Sequence, residues 1–196
     1  MANRTLKYYN DNAIELSKKY NSITFDNIQE IIFNYLDGAK KVLEVGCGSG
    51  RDANYMLNNG FDVIGIDGSI EMLNNARVNY PNLKGRLVKA ILPNEFPAFE
   101  YKFDGAYSIA TLMHFDKVDI DKILKKIHSV LKQDSPVYIS ISERRNNVDE
   151  RYFIDFTKSD WVEAFQQNDF AINKIIETQG ATNKEIVWYS FLLKTK

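Results

Sequence analysis

The chain has 196 residues, of which 44% are hydrophobic and 26% charged, a composition typical of a folded protein with a sizeable core. The formal net charge of −1 gives no overall attraction to nucleic acid or to an anionic membrane surface. The single cysteine, Cys47, excludes an internal disulfide and a cysteine metal cluster. Because no membrane-length apolar run or signal-peptide pattern occurs, we predict one cytoplasmic domain over residues 1–196, with no metal, membrane or nucleic-acid partner.

Residues 1–38 are predicted to form an N-terminal cover of two helices. The first is expected to bury one face, comprising Ala13, Ile14, Leu16 and Tyr20. The second begins at a sequence that resembles a capping box, Asp26–Gln29, and ends at Gly38. Tyr8 and Tyr9 precede the first of these helices. They either pack against the edge of a sheet or cover a ligand cleft, with a phenol hydroxyl bonded to ligand or substrate.

A predicted strand, a glycine-rich turn and a helix start then follow in immediate succession. The apolar run at 42–45 is typical of a buried strand, and glycines follow at positions 46, 48 and 50. A helical pattern runs from about Asp52 to Gly60. Glycines allow close backbone approach to a ligand and a helix start offers N–H groups, so this unit predicts a nucleotide-like ligand. The spacing disfavours NAD(P), because a dinucleotide fingerprint requires its third glycine at position 51, which is arginine.

The next predicted strand ends in an acidic residue. Asp67 follows the apolar residues Val63, Ile64 and Ile66, and lies seventeen positions after Gly50. An acid at about this distance binds ribose hydroxyls in nucleotide folds. The alternative is a turn or helix-cap role, although Ser69 could cap the following helix alone.

The remaining elements alternate between helices and strands before a strand-rich end. We predict a helix at 70–79, strands within 86–89, 103–109 and 137–141, and a helix between the last two that carries His128. Another helix is expected to begin at Asp160. Strands at 171–177 and 185–193 follow with no helix between them, which favours an antiparallel pair.

Three of these segments resemble a known family. The run Glu44-x-Gly46-x-Gly48-x-Gly50 resembles motif I of class I S-adenosylmethionine (AdoMet)-dependent methyltransferases. Phe103–His114 resembles motif IV in the form found in the small-molecule branch, and the C-terminal pair resembles the end of the methyltransferase sheet. The resemblance runs from about residue 8 to 193. It implies an α/β fold: a three-layer, Rossmann-like, seven-stranded, mostly parallel sheet with an antiparallel C-terminal hairpin and helices on both faces.

The resemblance also implies that different segments of the chain have different roles. Residues 39–142 would be the cofactor-binding core, and residues 143–196 the substrate-side loop, helix and hairpin. Family members often place an acid or amide after the third strand to bind adenine, but here Lys89 is followed by alanine and isoleucine. Adenine would then rest on backbone groups and apolar contact. The implied cofactor-binding residues are Tyr9, Glu44, Gly46, Cys47, Gly48, Gly50, Arg51, Asp67, Gly68, Ala90, Ile91, Ser108, Ile109 and Ala110.

Three residues are candidates for work on the acceptor. His114 has the right ordinary pKa for a general base at neutral pH, but a histidine here often only orders the loop. Arg144 and Tyr152 belong to a polar, cationic segment with an aromatic end, which resembles a loop of the small-molecule branch. Arg144 and Arg151 could bind a carboxylate or phosphate of the acceptor, or could pair with neighbouring acids in a solvated loop.

The resemblance therefore predicts an AdoMet-dependent methyltransferase that acts on a small molecule and releases S-adenosyl-L-homocysteine. The acceptor could be anionic, and the protein is expected to be a monomer or homodimer. The Asn/Asp-Pro-Pro-aromatic run of nucleic-acid amino-methyltransferases is missing, which argues against a DNA or RNA base as acceptor. The alternatives are a methyltransferase acting on protein or RNA and a non-catalytic AdoMet-binding module.

Overall fold

A seven-stranded sheet organises the computed structural model, which describes residues 2–22, 28–143, 150–179 and 186–196. Its strands are β1 Lys41–Val45, β2 Asp62–Asp67, β3 Leu87–Lys89, β4 Gly105–Ile109, β5 Pro136–Ser142, β6 Phe170–Gln179 and β7 Val187–Thr195. They lie in the order β3-β2-β1-β4-β5-β7-β6. The first five are parallel, while β7 runs antiparallel to both β5 and β6. The predicted fold class is confirmed.

Helices cover both faces of this sheet. They are α1 Ala2–Asp11, α2 Ala13–Ser22, α3 Ile28–Tyr35, α4 Arg51–Asn58, α5 Ile70–Asn79, α6 Lys117–Val130 and α7 Lys158–Gln167, with short 3-10 turns at Pro81–Leu83 and Leu112–His114. Successive strand residues point to opposite faces. Leu43 of β1 therefore packs in a core with α6 and α7, and Val42 in a second core with α3, α4 and α5. The two cores explain why β1 is apolar almost throughout.

The N-terminal cover differs from the prediction of two helices, because the described part of the chain before β1 contains three. Tyr8 and Tyr9 lie inside α1 and not ahead of the first helix. In α2 the side chain of Ile14 is 61% exposed, so its predicted place on the buried face is wrong. The buried face of α2 consists of Ala13, Leu16 and Ser17, and it packs near Met72 of α5. The predicted cap at residues 26–27 lies outside the described residues.

Other elements differ from the prediction at their ends, where helix boundaries are least determined by pattern. The helix α4 begins at Arg51 and not at Asp52. The helix α7 begins before Asp160, because Thr157 is its N-cap. Thr157 Oγ1 accepts a hydrogen bond from the Asp160 N–H at 3.2 Å, and Asp160 Oδ2 accepts one from the Thr157 N–H at 2.8 Å. The last strands, β6 and β7, are also longer or shifted relative to 171–177 and 185–193.

This reciprocal cap predicts a measurable loss of stability. We expect Thr157→Ala to lower the free energy of unfolding by about 1 kcal/mol, because the Asp160 N–H loses its partner. Urea denaturation would measure it. The matched control is Lys158→Ala, next along the helix, whose exposed ion pair with Glu177 contributes roughly 0.5 kcal/mol or less. Equal effects of the two substitutions would contradict the cap.

Candidate cofactor and acceptor site

The candidate site lies where the strand order reverses. The chain leaves β1 for β2 and β3 on one side, and returns to place β4 on the other side of β1. In open α/β sheets, ligands bind outside the carboxyl ends of the strands at this point. Three predicted site segments converge there: the glycine loop 46–50, the end of β2 at Asp67, and the end of β4 at 108–110.

The glycine loop is fixed to β2 by its own backbone. The N–H groups of Gly46 and Cys47 both donate to the Ile66 carbonyl oxygen, at 2.8 and 3.1 Å. Gly46 has a φ of +81°, and a Cβ on it would lie 2.1 Å from Thr111 Oγ1, so only glycine fits. Among the described residues, a Cβ on Gly48 would have only the Met72 Cε methyl within 4 Å, at 3.5 Å. Protein side chains therefore leave room above the middle of the loop.

Asp67 joins the glycine loop to β2 through its carboxylate. Its Oδ2 accepts the Gly48 N–H and its Oδ1 accepts the Ser69 N–H, both at 2.8 Å. The helix α5 is capped by Ser69 itself, whose Oγ accepts the Met72 N–H, so Asp67 is not the helix cap, but its bond to the Ser69 N–H is the turn contact that the alternative predicted. Burial raises the pKa of the Asp67 carboxyl, and the two N–H donors oppose that rise. The side chain is half-buried, and each oxygen keeps a lone pair for a ligand.

Glu44 lies beneath the loop in a buried polar cluster. Its side chain accepts a hydrogen bond from the Tyr107 hydroxyl at 3.1 Å, and the residue is 2% exposed. Burial, with the nearby Asp52 carboxylate as the next cause, raises the pKa of Glu44 well above its ordinary value. Arg51 binds both carboxylate oxygens of Asp52, at 3.0 and 2.7 Å, and the Tyr20 carbonyl oxygen at 2.8 Å. These contacts of Arg51 tie α2 to α4.

The region predicted for adenine lies between the ends of β2 and β3. The Ala90 N–H donates to the Asp67 carbonyl oxygen at 2.8 Å, and a Cβ on Gly68 would lie 3.3 Å from the Leu6 side chain of α1. An acid is present here after all, although it does not directly follow β3. Glu95 Oε2 accepts the Ile91 N–H at 3.1 Å and pairs with Lys89 at 2.6 Å. Glu95 was not predicted here because it lies four positions after Ile91 in the sequence.

The end of β4 turns sharply into the acceptor side. Ser108 Oγ donates to the Val45 carbonyl oxygen at 2.9 Å, and the residue next to Ile109, Ala110, has a left-handed φ of +56°. The Ala110 N–H donates to the Ser140 carbonyl oxygen at 2.9 Å, which secures that conformation. The turn leads directly into the 3-10 turn that ends at His114.

His114 lies in a cluster that joins this turn to α1 and to residues 150–154. Its Nδ1 lies 2.8 Å from the Tyr152 carbonyl oxygen, and its Nε2 lies 3.2 Å from the Tyr9 hydroxyl. Arg151 Nη1 donates to the same hydroxyl at 3.1 Å, and its guanidinium lies 5.2 Å from the ring centroids of Tyr8 and Phe153.

The structure thus brings together two of the three predicted acceptor-side residues, His114 and Tyr152. Burial raises the pKa of the half-buried Tyr152 phenol. Arg144 lies outside the described residues. Sequence reasoning missed Thr5, whose Oγ1 accepts the Tyr152 N–H at 2.9 Å. No signal in the sequence distinguishes this threonine from other polar residues of α1.

A family comparison agrees with this geometry. A sequence model described as a methyltransferase domain matches residues 42–134, which span the glycine loop, Asp67 and the end of β4. Just under half of the chain therefore matches a methyltransferase domain. An uncharacterized methyltransferase of Synechocystis sp. is 30% identical over 93 residues, covering 47% of this chain and 42% of that relative. The ubiquinone biosynthesis O-methyltransferase of Acinetobacter baylyi is 32% identical over 127 residues, covering 60% and 52%.

Solved methyltransferase structures show the same fold. The 1,6-didemethyltoxoflavin-N1-methyltransferase of Burkholderia thailandensis, solved with 1,6-didemethyltoxoflavin and S-adenosylhomocysteine, superposes with a TM-score of 0.77 at 20% identity. The superposition covers 97% of this chain and 87% of that one. The chain spans only about half of the length of the curated relatives that it matches.

Two features of the described ranges concern membranes and metal ions. No helix within them is long and apolar enough to cross a membrane. Within the same ranges, no three or more His, Cys, Asp and Glu side chains are grouped so that they could hold a metal ion.

The buried Glu44 predicts a specific pH dependence of stability. Its pKa is raised in the folded state, so the folded protein holds this proton more tightly than the unfolded chain. The free energy of unfolding should therefore fall as pH rises above the ordinary glutamate value. We expect Glu44→Gln to flatten this fall, so that the variant gains stability relative to wild type between pH 5 and pH 8 in urea denaturation.

Glu15→Gln, at an exposed position on α2, is the control and should keep the wild-type slope. A wild-type slope in Glu44→Gln would show that Glu44 carries no such proton.

Proposed function

We propose that this chain is an AdoMet-dependent methyltransferase that transfers a methyl group to a small-molecule acceptor and releases S-adenosyl-L-homocysteine (AdoHcy). The single observation that carries the proposal is the Asp67 carboxylate, held by the Gly48 and Ser69 N–H groups at the switch point of the sheet. A fixed, half-buried carboxylate beside a glycine loop with room above it suits the ribose of an adenosine.

The residues around the loop fit the rest of such a cofactor. Asp67 would accept the two ribose hydroxyls on its remaining lone pairs. The backbone at 90–91, with Gly68 beside it, would contact adenine. The carbonyl groups at 108–110 would accept the ammonium of the methionine part, and the loop residues would lie along its chain, over Glu44 and Cys47. Tyr9, on α1, would close the cleft from above.

When bound, this cofactor would supply a sulfonium methyl group that is transferred by in-line displacement. The protein's part would be to hold the acceptor in line and to exclude water, and such orientation is worth about 7–11 kcal/mol at best. α1 is suited to that exclusion, because it contacts both residues 150–154 and the N-terminus of α5. Thr5 accepts the Tyr152 N–H, and Asn10 Oδ1 accepts the Ser69 hydroxyl at 2.7 Å.

The acceptor would bind on the side formed by residues 150–154 and the turn at His114. The rings of Tyr152 and Phe153 and the cation of Arg151 suit a small molecule with an apolar body and an anionic group. Arg144 stays a sequence-based candidate for the same role. The names of one relative, a ubiquinone biosynthesis O-methyltransferase, and of one structural neighbour, a 1,6-didemethyltoxoflavin-N1-methyltransferase, support a small acceptor.

Two alternatives need separate tests. A non-catalytic AdoMet-binding module would bind AdoMet and AdoHcy without turnover on any acceptor. A methyltransferase acting on protein or RNA would require a docking surface, and the near-neutral net charge gives no support for RNA. We further propose a cytoplasmic monomer or homodimer in which residues 1–38 cover a core at 39–142 and residues 143–196 form the acceptor side.

Asp67→Asn tests the ribose assignment. The substitution removes the charge and turns an N–H group toward a backbone donor or a ribose hydroxyl. Hydrogen bonds to a charged group contribute about 1.5–3 kcal/mol each, so AdoHcy should bind roughly 10- to 100-fold more weakly in isothermal titration calorimetry. NAD should neither bind comparably nor compete.

Asp62→Asn is the matched control, because Asp62 lies at the opposite end of β2 and pairs with Arg86 and Lys41. It should leave the affinity for AdoHcy unchanged. Wild-type affinity in Asp67→Asn would overturn the ribose assignment, and tighter binding of NAD than of AdoHcy would overturn the proposed function.

A further inference from the structure

The contact between Tyr9 and His114 bears on which molecules can accept the methyl group. His114 is 5% exposed, and each of its ring nitrogens lies within hydrogen-bond distance of an oxygen atom. Its Nδ1 is 2.8 Å from the Tyr152 carbonyl oxygen, and its Nε2 is 3.2 Å from the Tyr9 hydroxyl oxygen. Tyr9 is only half-buried. Tyr9 is therefore the more accessible side chain of the pair.

The partners decide where the protons lie. A carbonyl oxygen only accepts, so Nδ1 of His114 must carry a proton and donate it to Tyr152. In the neutral imidazole with this proton on Nδ1, Nε2 is the acceptor and Tyr9 donates to it.

The Tyr9 oxygen has one further hydrogen-bond acceptor position after its contacts with His114 and Arg151. It donates its own proton to His114 and accepts one N–H from Arg151 on a lone pair. The second lone pair can accept a hydrogen bond from a ligand. Arg151 is itself held against the aromatic rings of Tyr8 and Phe153, so this donor is fixed in place.

We propose that Tyr9 and His114 act as one proton acceptor, in which Tyr9 faces the methyl acceptor and His114 stores the proton behind it. This inference rests on the proposed function. It identifies the substrate class as a molecule that brings a proton on the attacking oxygen or nitrogen, in contrast to a thiolate, a halide or a tertiary amine. In these terms Tyr9 is the catalytic residue, while His114, Tyr152 and Arg151 act through it.

The step balances without any further reactant. As the acceptor's heteroatom forms its bond to the methyl carbon, its proton passes to the Tyr9 oxygen and the Tyr9 proton passes to Nε2 of His114. The electron pair of the broken carbon–sulfur bond stays on sulfur, which loses its positive charge. The positive charge appears on the imidazole of His114, whose Nδ1–H still donates to the Tyr152 carbonyl.

If the Tyr9–His114 contact only held α1 against the turn at His114, the distances would be the same. The first test therefore observes the protonation of the two ring nitrogens directly. The chain has two histidines, and His128→Gln leaves only His114 in a ¹⁵N-histidine NMR spectrum. If His128→Gln does not fold, His114→Gln assigns the signals by difference. In the AdoHcy complex at pH 7 we expect a protonated Nδ1 and an unprotonated Nε2.

Tyr9→Phe should move the Nε2 resonance and leave Nδ1 protonated, whereas Tyr8→Phe, its neighbour on α1, should leave both resonances in place. A proton on Nε2, protons on both nitrogens, or an Nε2 signal that ignores Tyr9→Phe would each overturn the inference. Loss of AdoHcy binding by the wild-type protein would instead overturn the proposed function, so the two failures can be told apart.

The second test separates proton transfer from positioning. Methyl transfer at saturating AdoMet is measured with a panel containing a phenol, a primary amine and iodide, which brings no proton. We expect Tyr9→Phe to lower kcat for the phenol or amine by about 100-fold or more, and by at least tenfold more than for iodide. Equal losses on both kinds of acceptor, transfer by wild type to iodide alone, or no transfer to any compound would overturn the inference.

Discussion

The hydrogen bond from the Gly48 N–H to the Asp67 carboxylate is the contact on which the site depends, because it joins the two halves of the cofactor region. Gly46 and Cys47 already bind the backbone of β2, and Asp67 extends this connection to the tip of the loop. The loop is thereby held in one conformation before any ligand arrives. Preorganisation of this kind reduces the ordering cost that binding would otherwise incur.

The underside of the loop is held just as firmly, but by a different chemistry. Glu44 and Asp52 are both buried, and each has its own partner: Tyr107 for the first, and Arg51 with Gln29 for the second. Buried carboxylates are costly unless they are hydrogen-bonded. The cluster is therefore better understood as support for the turn between β1 and α4 than as a net source of stability. It also explains why Arg51, predicted to contact the cofactor, makes its described contacts with protein.

The sequence alone was sufficient to predict the central sheet, but not the helices of the N-terminal cover. Apolar runs bounded by glycines located the parallel strands because both of their faces are buried. The helix α1 was missed because Leu6 is its one large aliphatic residue, and the others packed inward, such as Thr5, Tyr8 and Tyr9, are polar or aromatic. The position of Asp67 at the end of the strand beside the glycine loop could be predicted from spacing alone. Glu95 and Arg151 could not be given their contacts in this way, since these depend on how loops fold back in three dimensions.

The main chain of Tyr152 makes two of the contacts described above, one through its N–H to Thr5 and one through its carbonyl to His114. Neither depends on which side chain stands at position 152. Related sequences could therefore exchange this phenol for another group and alter which molecules fit the cleft, while the cover and the histidine tautomer stay as they are. At this residue the side chain can change the choice of substrate while the main chain keeps α1 in place. Such an arrangement favours the divergence of new substrate preferences.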